Sequence, residues 1–286
     1  MGLYSDILLT VDFDRTLTGP DSTIPQRNLE AIAYFMAQGG HFTVNTGRST
    51  GTFWKYLDTI PANAPFLLYN GSAAWENGKL THCVPIELDV WQTMDTVHKL
   101  FPEMNLEIQG EVCHYLIEPQ REMVALCDNQ QWRYTVARWG QAIGPFLKFS
   151  LWGTPETPEV SAVFSATEEQ QQRFREAELT LRRLYGDRVE VFRAAPRIID
   201  VHAKGVSKER AARRLQKELG VATLVCVGDA ENDIPMLDGA DYAFCPADGV
   251  VADRYCTVCP CAEGAVADVI YKKIPEILAN CLDTSK

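Results

Sequence analysis

Two aspartates separated by one residue stand near the N-terminus, immediately after an apolar run. Asp12 and Asp14 follow residues 7–11, whose continuous apolar pattern predicts a buried strand. If the strand continues, alternation places both carboxylates on one side of the chain, at a strand end where open α/β sheets bind ligands. Such a pair can hold a hard cation or transfer protons. A solvated strand end with ordinary acidic residues would give the same pattern.

Three further segments place reactive side chains at strand ends or at the start of a helix. Thr46 follows the second predicted strand, and Asp229 and Asp233 follow a later one. Lys208 stands at the start of a predicted helix. Magnesium prefers carboxylate and carbonyl oxygens and usually shares a phosphate with the protein. Carboxylates, a hydroxyl and an ammonium at one edge of a sheet therefore favour phosphoryl transfer.

The elements that must position these side chains alternate between strands and helices, as in a parallel sheet. The predicted strands cover residues 7–11, 42–44, 66–69 and 224–227. The predicted helices cover residues 25–38, 207–219 and 265–278. Because parallel strands end at a common edge, this sheet would bring the reactive side chains together.

The middle of the chain has a different pattern. Residues 73–79 predict a hairpin with its turn at Asn77 and Gly78. The segment that follows mixes a helix over 168–185 with short strands over 113–117, 148–151, 162–165 and 189–192. We therefore predict an α/β fold with a Rossmann-like parallel-sheet core made of residues 1–80 and 198–286. A separate α+β domain is predicted over residues 81–197.

Four segments together resemble the motifs of the haloacid dehalogenase superfamily of phosphatases. The run from Asp12 to Thr16 is similar to the first motif, Asp-x-Asp-x-Thr, and Thr46 to the hydroxyl of the second, in its Thr-Gly-Arg form. Lys208 is similar to the lysine of the third motif, and residues 228–237 to the fourth, Gly-Asp-x-x-Asn-Asp-x-x-Met-Leu. The four segments occur in the family's order.

The motif spacing resembles one branch of that superfamily. Only one helix and one strand fit between Asp12 and Thr46, whereas the large α+β segment lies between Thr46 and Lys208. This arrangement is similar to the type C2 cap proteins, and within them to the Cof-type group. The resemblance implies hydrolysis of a sugar phosphate or similar small phosphate ester, with residues 81–197 as a specificity cap. Arg15 departs from the family, which usually has glycine there, and we expect its side chain to face solvent or the cap.

The resemblance also implies a role for each matching residue. Asp12 would be the nucleophile that forms an aspartyl phosphate, and Asp14 the acid and base. Mg²⁺ would be held by Asp12, the backbone carbonyl of Asp14, Asp229 and Asp233. Thr46 and Lys208 would bind the phosphoryl oxygens. The further residues expected to contact substrate or phosphate, or to orient those that do, are Gly47, Arg48, Asn70 and Asn232.

Composition narrows the classes of partner. Apolar residues make up 46% and charged residues 23% of the chain, which is typical of a soluble globular protein, and the formal net charge is −11. This charge argues against nucleic-acid or anionic-membrane partners.

We see neither a membrane-spanning apolar run nor a secretory signal, and the nine scattered cysteines suit reduced thiols. The expectation is a cytoplasmic enzyme acting on a small-molecule phosphate ester, with its oligomeric state open. A zinc site at Cys256, Cys259 and Cys261 is a weaker alternative to packing.

Three alternative functions stay open at this point. A phosphomutase of phosphomannomutase type shares the cap location and would return the phosphoryl group to a sugar. A phosphoacceptor domain of receiver type also uses an aspartate at a strand end, but it lacks the large insert. A binding protein without catalysis is disfavoured because every reactive group is present.

Overall fold

The computed structural model describes residues 2–111, 113–159, 162 and 164–283 of the 286-residue chain. The strands are β1 (Ile7–Val11), β2 (His41–Val44), β3 (Phe66–Leu68), β4 (Ala73–Glu76), β5 (Lys79–Thr81), β6 (Asn105–Gly110), β7 (His114–Ile117), β8 (Thr135–Ala137), β9 (Phe146–Trp152), β10 (Val189–Ala195), β11 (Ile198–Ala203), β12 (Thr223–Val227), β13 (Tyr242–Pro246) and β14 (Cys256–Val258). The helices are α1 (Gln26–Ala37), α2 (Thr50–Phe53), α3 (Val90–Leu100), α4 (Arg121–Asn129), α5 (Glu168–Tyr185), α6 (Lys208–Leu219), α7 (Ile234–Asp238), α8 (Ala265–Asp268) and α9 (Ile274–Asp283).

The chain divides into two compact units. The first comprises the described residues of 1–46, 58–67 and 208–286, and the second comprises those of 47–57 and 68–207. The first and last described segments of the chain therefore belong to the same unit.

The first unit contains a five-stranded parallel sheet in the order β14-β13-β12-β1-β2. All five residues of β1 are buried, which is typical of a parallel strand covered on both faces. Val11, the last residue of β1, pairs with Val227 on one side and with Val44 on the other. Strands β12, β1 and β2 therefore end at the same edge, which is where the sequence predicted the reactive side chains.

The closing helix of the first unit is not continuous, although the sequence predicted a single helix over 265–278. A π-helical turn over Val269–Lys273 separates α8 from α9. Pro275 explains the interruption, because its nitrogen has no proton to donate to the carbonyl of Tyr271 and its ring would clash with that carbonyl.

The second unit contains a six-stranded sheet in the order β10-β11-β9-β6-β7-β8. Its pairings are antiparallel except for the parallel pair β7–β8. Helices α3 and α5 cover one face, where alternate strand residues and the apolar sides of the helices form one core. That core includes Met94, Val97, Ile108, Phe149, Phe174, Leu181 and Val201.

The predicted hairpin is confirmed, since β4 and β5 pair antiparallel around Asn77 and Gly78. Both turn residues have positive φ, 51° and 79°, the conformation of a type I′ turn. By contrast, the predicted strand over 162–165 includes a position outside the described residues, and Ala162 and Phe164 lie in a 3₁₀ turn rather than a strand.

The unit boundaries differ from the predicted domain boundaries at both junctions. Residues 47–57 and 68–80 group with the second unit, and so do residues 198–207. The reason is that β11, which lies in the predicted core segment 198–286, pairs antiparallel with β9 and β10 of the second sheet. The 3₁₀ turn Tyr69–Gly71 in turn bonds to β11 through the side chain of Asn70.

None of the helices within the described ranges has the combined length and apolar character needed to cross a bilayer.

Candidate active site

The edge of the parallel sheet begins with Asp12. Its N–H donates to the carbonyl of Val227 at 2.8 Å, so the backbone extends the pairing of β1 with β12 by one residue. The chain then enters a π-helical turn, Phe13–Leu17, in which Asp14 and Arg15 leave helical geometry. Arg15 has a φ of 59°, in the left-handed region that favours glycine, and its N–H donates to Thr18 Oγ1 at 3.2 Å. This turn sets the direction in which the first motif leaves the sheet.

Lys208 joins two of the carboxylates at this edge. Its Nζ lies 2.5 Å from Asp12 Oδ1 and 2.6 Å from Asp233 Oδ1, and only 1% of its side chain is exposed. Lys208 is the first residue of α6, and its own carbonyl accepts a hydrogen bond from Asn45 Nδ2 at 2.8 Å. The ammonium is therefore fixed by contacts at both ends of the residue.

Asp233 is held by backbone donors as well as by Lys208. Its Oδ2 accepts the N–H groups of Asp229 and Ala230, both at 3.1 Å. This turn requires glycine at position 228, because a Cβ there would lie 2.7 Å from Asp233 Cβ. The Gly-Asp sequence of the fourth motif thus has a direct steric cause.

Three buried carboxylates, those of Asp12, Asp229 and Asp233, form a group suited to a metal ion. One oxygen from each lies within 4.8 Å of the others. Asp229 Oδ1 also accepts a hydrogen bond from Thr16 Oγ1 at 2.9 Å. Ionisation of all three would leave one ammonium against three negative charges, and burying such an excess is costly. A divalent cation with a preference for oxygen ligands fits this charge and these donors.

The pKa values in the group reflect the same imbalance. Burial raises the pKa of Asp12 to about 7, against the lowering effect of Lys208. Burial and the carboxylates of Asp12 and Asp233 raise the pKa of Asp229 well above its usual range. Although burial alone would lower it, the pKa of Lys208 is raised by Asp12 and then by Asp233. Without a cation, the group therefore retains protons near neutral pH.

The other predicted residues of the first unit lie around this group. Asp14 is half-buried, and its charge raises the pKa of Asp12. Thr46 is buried, with its N–H bonded to the carbonyl of Leu67 at 2.9 Å. Asn232, which was expected to orient the groups that bind phosphate, is half-buried in the 3₁₀ turn Glu231–Asp233. The contacts that hold the ammonium of Lys208 come from Asp12 and Asp233.

Two residues with a clear part in the arrangement were not assigned to the site from the sequence. Thr16 fixes Asp229, and Asn45 fixes the carbonyl of Lys208 while also contacting Met236 Sδ at 3.5 Å. Thr16 could have been assigned from the sequence, because it is the threonine that ends the first motif. Asn45, next to Thr46, had no signal beyond its position at a strand end.

Gly47, Arg48 and Asn70 belong to the second unit, although the sequence placed them in the core. Arg48 Nη1 donates to the carbonyl of Thr52 at 3.1 Å. Gly47 lies directly against Asn70, because a Cβ on Gly47 would be 2.9 Å from Asn70 Oδ1. Asn70 Nδ2 lies 3.1 Å from both Asp200 Oδ2 and His202 Nε2. Asn70 therefore connects the turn after β3 to strand β11.

His202 is the neutral member of this buried network. Its Nδ1 lies 2.9 Å from Ser72 Oγ, and burial lowers its pKa from 6.5 to about 3. Asp200 on the same strand opposes the shift, whereas Lys148 on β9 adds to it. With Nε2 as the acceptor for Asn70, the proton of the neutral ring is on Nδ1 and is donated to Ser72.

We expect His202 to make the protein less stable in acid. The unfolded chain takes up a proton on His202 below about pH 6.5, but the native state does not until about pH 3. The unfolding free energy therefore rises with pH across this window, by up to about 1.4 kcal/mol per pH unit, and the contribution is complete above it. Denaturant unfolding at pH 5 and pH 7.5 should show a smaller pH dependence for His202→Gln. Equal pH dependence in the two proteins would contradict this assignment.

Eight cysteines in the described part of the chain form no disulfide. Cys256, Cys259 and Cys261 do not form a metal-binding group with other described residues. Cys261 is buried and its Sγ donates to Asp248 Oδ2 at 3.2 Å, and burial followed by Asp248 raises its pKa to about 12. Of the three, Cys261 packs in the interior, whereas Cys259 is half-buried and Cys256 is exposed.

Comparison with known proteins shows similarity over most of the chain. Residues 9–251, which include every motif up to Asp233, match the family model described as haloacid dehalogenase-like hydrolase. The uncharacterized hydrolase C215.10 of Schizosaccharomyces pombe is 22% identical over 283 residues, covering 92% of this chain and 89% of that protein. The putative phosphatase YxeH of Bacillus subtilis is 21% identical over 252 residues, covering 85% and 88%.

Two solved structures share the fold. A haloacid dehalogenase-like hydrolase from B. subtilis has a TM-score of 0.75 at 18% identity, with 93% of this chain and 99% of that chain covered. The subclass IIB sugar phosphatase BT4131 has a TM-score of 0.74 at 19% identity, with 92% and 97% covered. The predicted α/β fold, superfamily and hydrolase class are thereby confirmed. The chain belongs to the haloacid dehalogenase-like hydrolase family.

Proposed function

We propose that the protein is a magnesium-dependent phosphatase that hydrolyses a small phosphate monoester through an aspartyl phosphate on Asp12. The observation that carries the proposal is the buried group of Asp12, Asp229 and Asp233, bridged by Lys208, at the carboxyl edge of a parallel sheet. Nucleophile, cation ligands and a fixed positive charge are thus present together, as phosphoryl transfer requires.

In the first step, a carboxylate oxygen of Asp12 attacks phosphorus and the bond to the leaving oxygen breaks. Asp14 donates its proton to that oxygen, so the product leaves as a neutral alcohol. In the second step, Asp14 takes a proton from water as the water oxygen attacks phosphorus. The bond between phosphorus and Asp12 then breaks, which releases inorganic phosphate and restores the carboxylate.

Lys208 and Thr46 are proposed to bind the phosphoryl oxygens. The ammonium of Lys208 already bridges two carboxylates, so its position is set before substrate arrives and needs little reorganisation. Mg²⁺ would be held by Asp12, the Asp14 carbonyl, Asp229 and Asp233, and when bound would neutralise charge on the transferring group. Gly47, Arg48, Asn70 and Asn232 stay predicted contacts for substrate or for these residues.

We further propose that the organic group of the ester is a sugar and that the second unit selects it. The support is the large α+β segment between Thr46 and Lys208, together with the names of two similar proteins, a putative phosphatase and a sugar phosphatase. The cytoplasmic location stays a prediction from the sequence.

The test is hydrolysis of a panel of hexose phosphates, pentose phosphates, nucleotides and p-nitrophenyl phosphate, with Mg²⁺ and with EDTA. We expect phosphate release that requires Mg²⁺ and is highest for a sugar phosphate. Release that is as fast in EDTA would reject the magnesium mechanism, and no release from any ester would reject the phosphatase assignment.

Magnesium binding is expected to release protons near pH 7. The raised pKa values of Asp12 and Asp229 mean that the cation-free group holds protons that the bound cation must displace. Affinity for Mg²⁺ should therefore increase as the pH rises through about 7. Calorimetric titration in two buffers of different ionisation enthalpy counts the protons. An Asp229→Asn variant should bind the ion more weakly, and a pH-independent affinity in the wild type would contradict the charge argument.

A further inference from the structure

One face of the second unit's sheet is polar although it is buried. Helices α3 and α5 cover the opposite face, and the alternate residues of β7, β6, β9 and β11 point away from them. Strand register aligns these residues in two rows across the sheet. One row contains His114, Gln109, Lys148 and His202, and the other contains Leu116, Glu107, Ser150 and Asp200. All eight are buried.

The polar groups of this face on β9 and β11 find their hydrogen-bond partners within the second unit. Asp200 accepts from Ser150 Oγ at 2.7 Å and from Asn70 Nδ2 at 3.1 Å, and it lies 3.3 Å from Lys148 Nζ. Lys148 Nζ also donates to the carbonyl of Gly47 at 2.9 Å. With each charge paired and the imidazole of His202 bonded on both sides, this half has the properties of a structural network.

On β6 and β7, by contrast, several polar atoms of this face have no hydrogen-bond partner among the described residues. Gln109 Nε2 donates to Glu107 Oε2 at 2.9 Å, and His114 Nε2 lies 3.3 Å from Glu107 Oε1 without the alignment of a hydrogen bond. Among the described residues, no hydrogen-bond partner exists for Glu107 Oε1, Gln109 Oε1 or either ring nitrogen of His114. Buried polar atoms are rarely left in this state, so these atoms require a partner from outside the chain.

Aromatic side chains lie next to these polar residues on the same face. Trp152 lies two residues after Ser150 on β9 and so on the same face, it is 7% exposed, and its indole N–H also has no partner among the described residues. Its ring meets Trp132 edge-on, with the ring centroids 5.8 Å apart. Convergent polar groups beside an aromatic wall are the usual composition of a site for a small hydroxylated molecule.

We propose that Glu107, Gln109, His114 and Trp152 form a recognition site for a neutral, hydroxyl-rich organic group. The inference rests on the proposed function, in which that group is the sugar of the phosphate ester. Hydroxyls can donate to the two free carboxylate and amide oxygens and can pair with the ring nitrogens of His114. The carboxylate of Glu107 in this half disfavours a second phosphate or a carboxylate on the ligand.

The site is closed in this structure by the short helix α2. A Cβ on Gly51 would lie 3.1 Å from His114 Cβ and 2.6 Å from the carbonyl of Arg133, so the backbone of α2 lies directly on the site. Helix α4 covers the Trp152 end of the same face, where Met123, Leu126 and Cys127 pack with Trp152. Entry of a ligand therefore requires displacement of α2, of α4 or of both.

The test compares two substrates that differ in hydroxyl groups. Values of kcat/KM are measured for a hexose 6-phosphate and for p-nitrophenyl phosphate in wild type, Gln109→Met and Glu107→Gln, with Ser150→Ala from the satisfied half as the matched control. We expect the ratio of the two values to fall about tenfold in the first two variants, because a sugar hydroxyl loses its partner. The ratio should change less than about twofold in Ser150→Ala.

An unchanged ratio in both Gln109→Met and Glu107→Gln would overturn the inference and assign the free groups to water. An equal loss for both substrates would also overturn it, since the residues would then be structural. If the wild type hydrolyses neither ester, the proposed function fails, and calorimetric binding of the hexose 6-phosphate decides the inference alone. Weaker binding to Gln109→Met supports the site, and equal or undetectable binding to both proteins rejects it.

Discussion

Replacing Asp12 by asparagine is expected to lower the rate of phosphate release by a factor of about 10⁴ or more, as when other covalent nucleophiles are removed. The amide has the shape of the carboxylate, but its oxygen is not an effective nucleophile and cannot form the acyl phosphate. Phosphate release with the best ester of the panel and saturating Mg²⁺ is the measurement.

The same substitution should leave the fold intact. Asp12 is one of three buried carboxylates, and Lys208 keeps its contact with Asp233 at 2.6 Å. Removing one negative charge from this group relieves repulsion, so the melting temperature in EDTA should stay the same or rise. A variant that is inactive because it is unfolded would not test the nucleophile, whereas a folded variant with wild-type turnover would exclude the mechanism.

Replacing Lys208 by methionine is expected to affect stability as well as activity. The ammonium is 1% exposed and is the shared partner of Asp12 and Asp233, so its loss leaves buried charge without compensation. Breaking a buried pair in this way costs about 3–5 kcal/mol. Denaturant unfolding in EDTA measures the loss, and phosphate release should fall by at least about 10² because a phosphoryl contact is also removed.

The double variant Lys208→Met with Asp233→Asn separates the two effects. The neutral amide needs no counter-charge, so about half or more of the lost stability should return, while activity stays low. If the double variant is as unstable as Lys208→Met alone, the pair with Asp233 does not account for the loss. If activity returns with stability, Lys208 has only a structural role.

The parallel sheet and its reactive edge could be predicted because their signals are local. The apolar run Ile7–Val11 predicts a buried strand, and parallel strands end at a common edge, so Asp12, Thr46 and Asp229 follow from strand order. Contacts made by side chains across the sheet were harder to predict. The bond from Asn45 to the carbonyl of Lys208 joins residues far apart in the chain and depends on where α6 begins.

The second unit was harder to predict because its sheet buries polar residues. In β6, Glu107 and Gln109 alternate with Leu106 and Ile108, the pattern of a strand with one face in water, yet all six residues of the strand are buried. The segment after residue 197, predicted to begin the second part of the core, forms β11 and pairs with β9 and β10, with Asp200 and His202 on its buried polar face. Their actual partners, Asn70 and Ser72, come from a turn more than a hundred residues earlier in the chain.

The order of strands in the first sheet has a consequence for biosynthesis. β1 leaves the ribosome long before β12, one of its two neighbours in the sheet, which pairs Ile7 with Thr223. All strands of the second unit's sheet precede β12 in the chain. During translation the second unit can therefore complete its sheet first, while the side of β1 that later pairs with β12 is still unpaired. Until β12 has been synthesised, the unpaired edge of this apolar strand can pair with other chains and so favours aggregation.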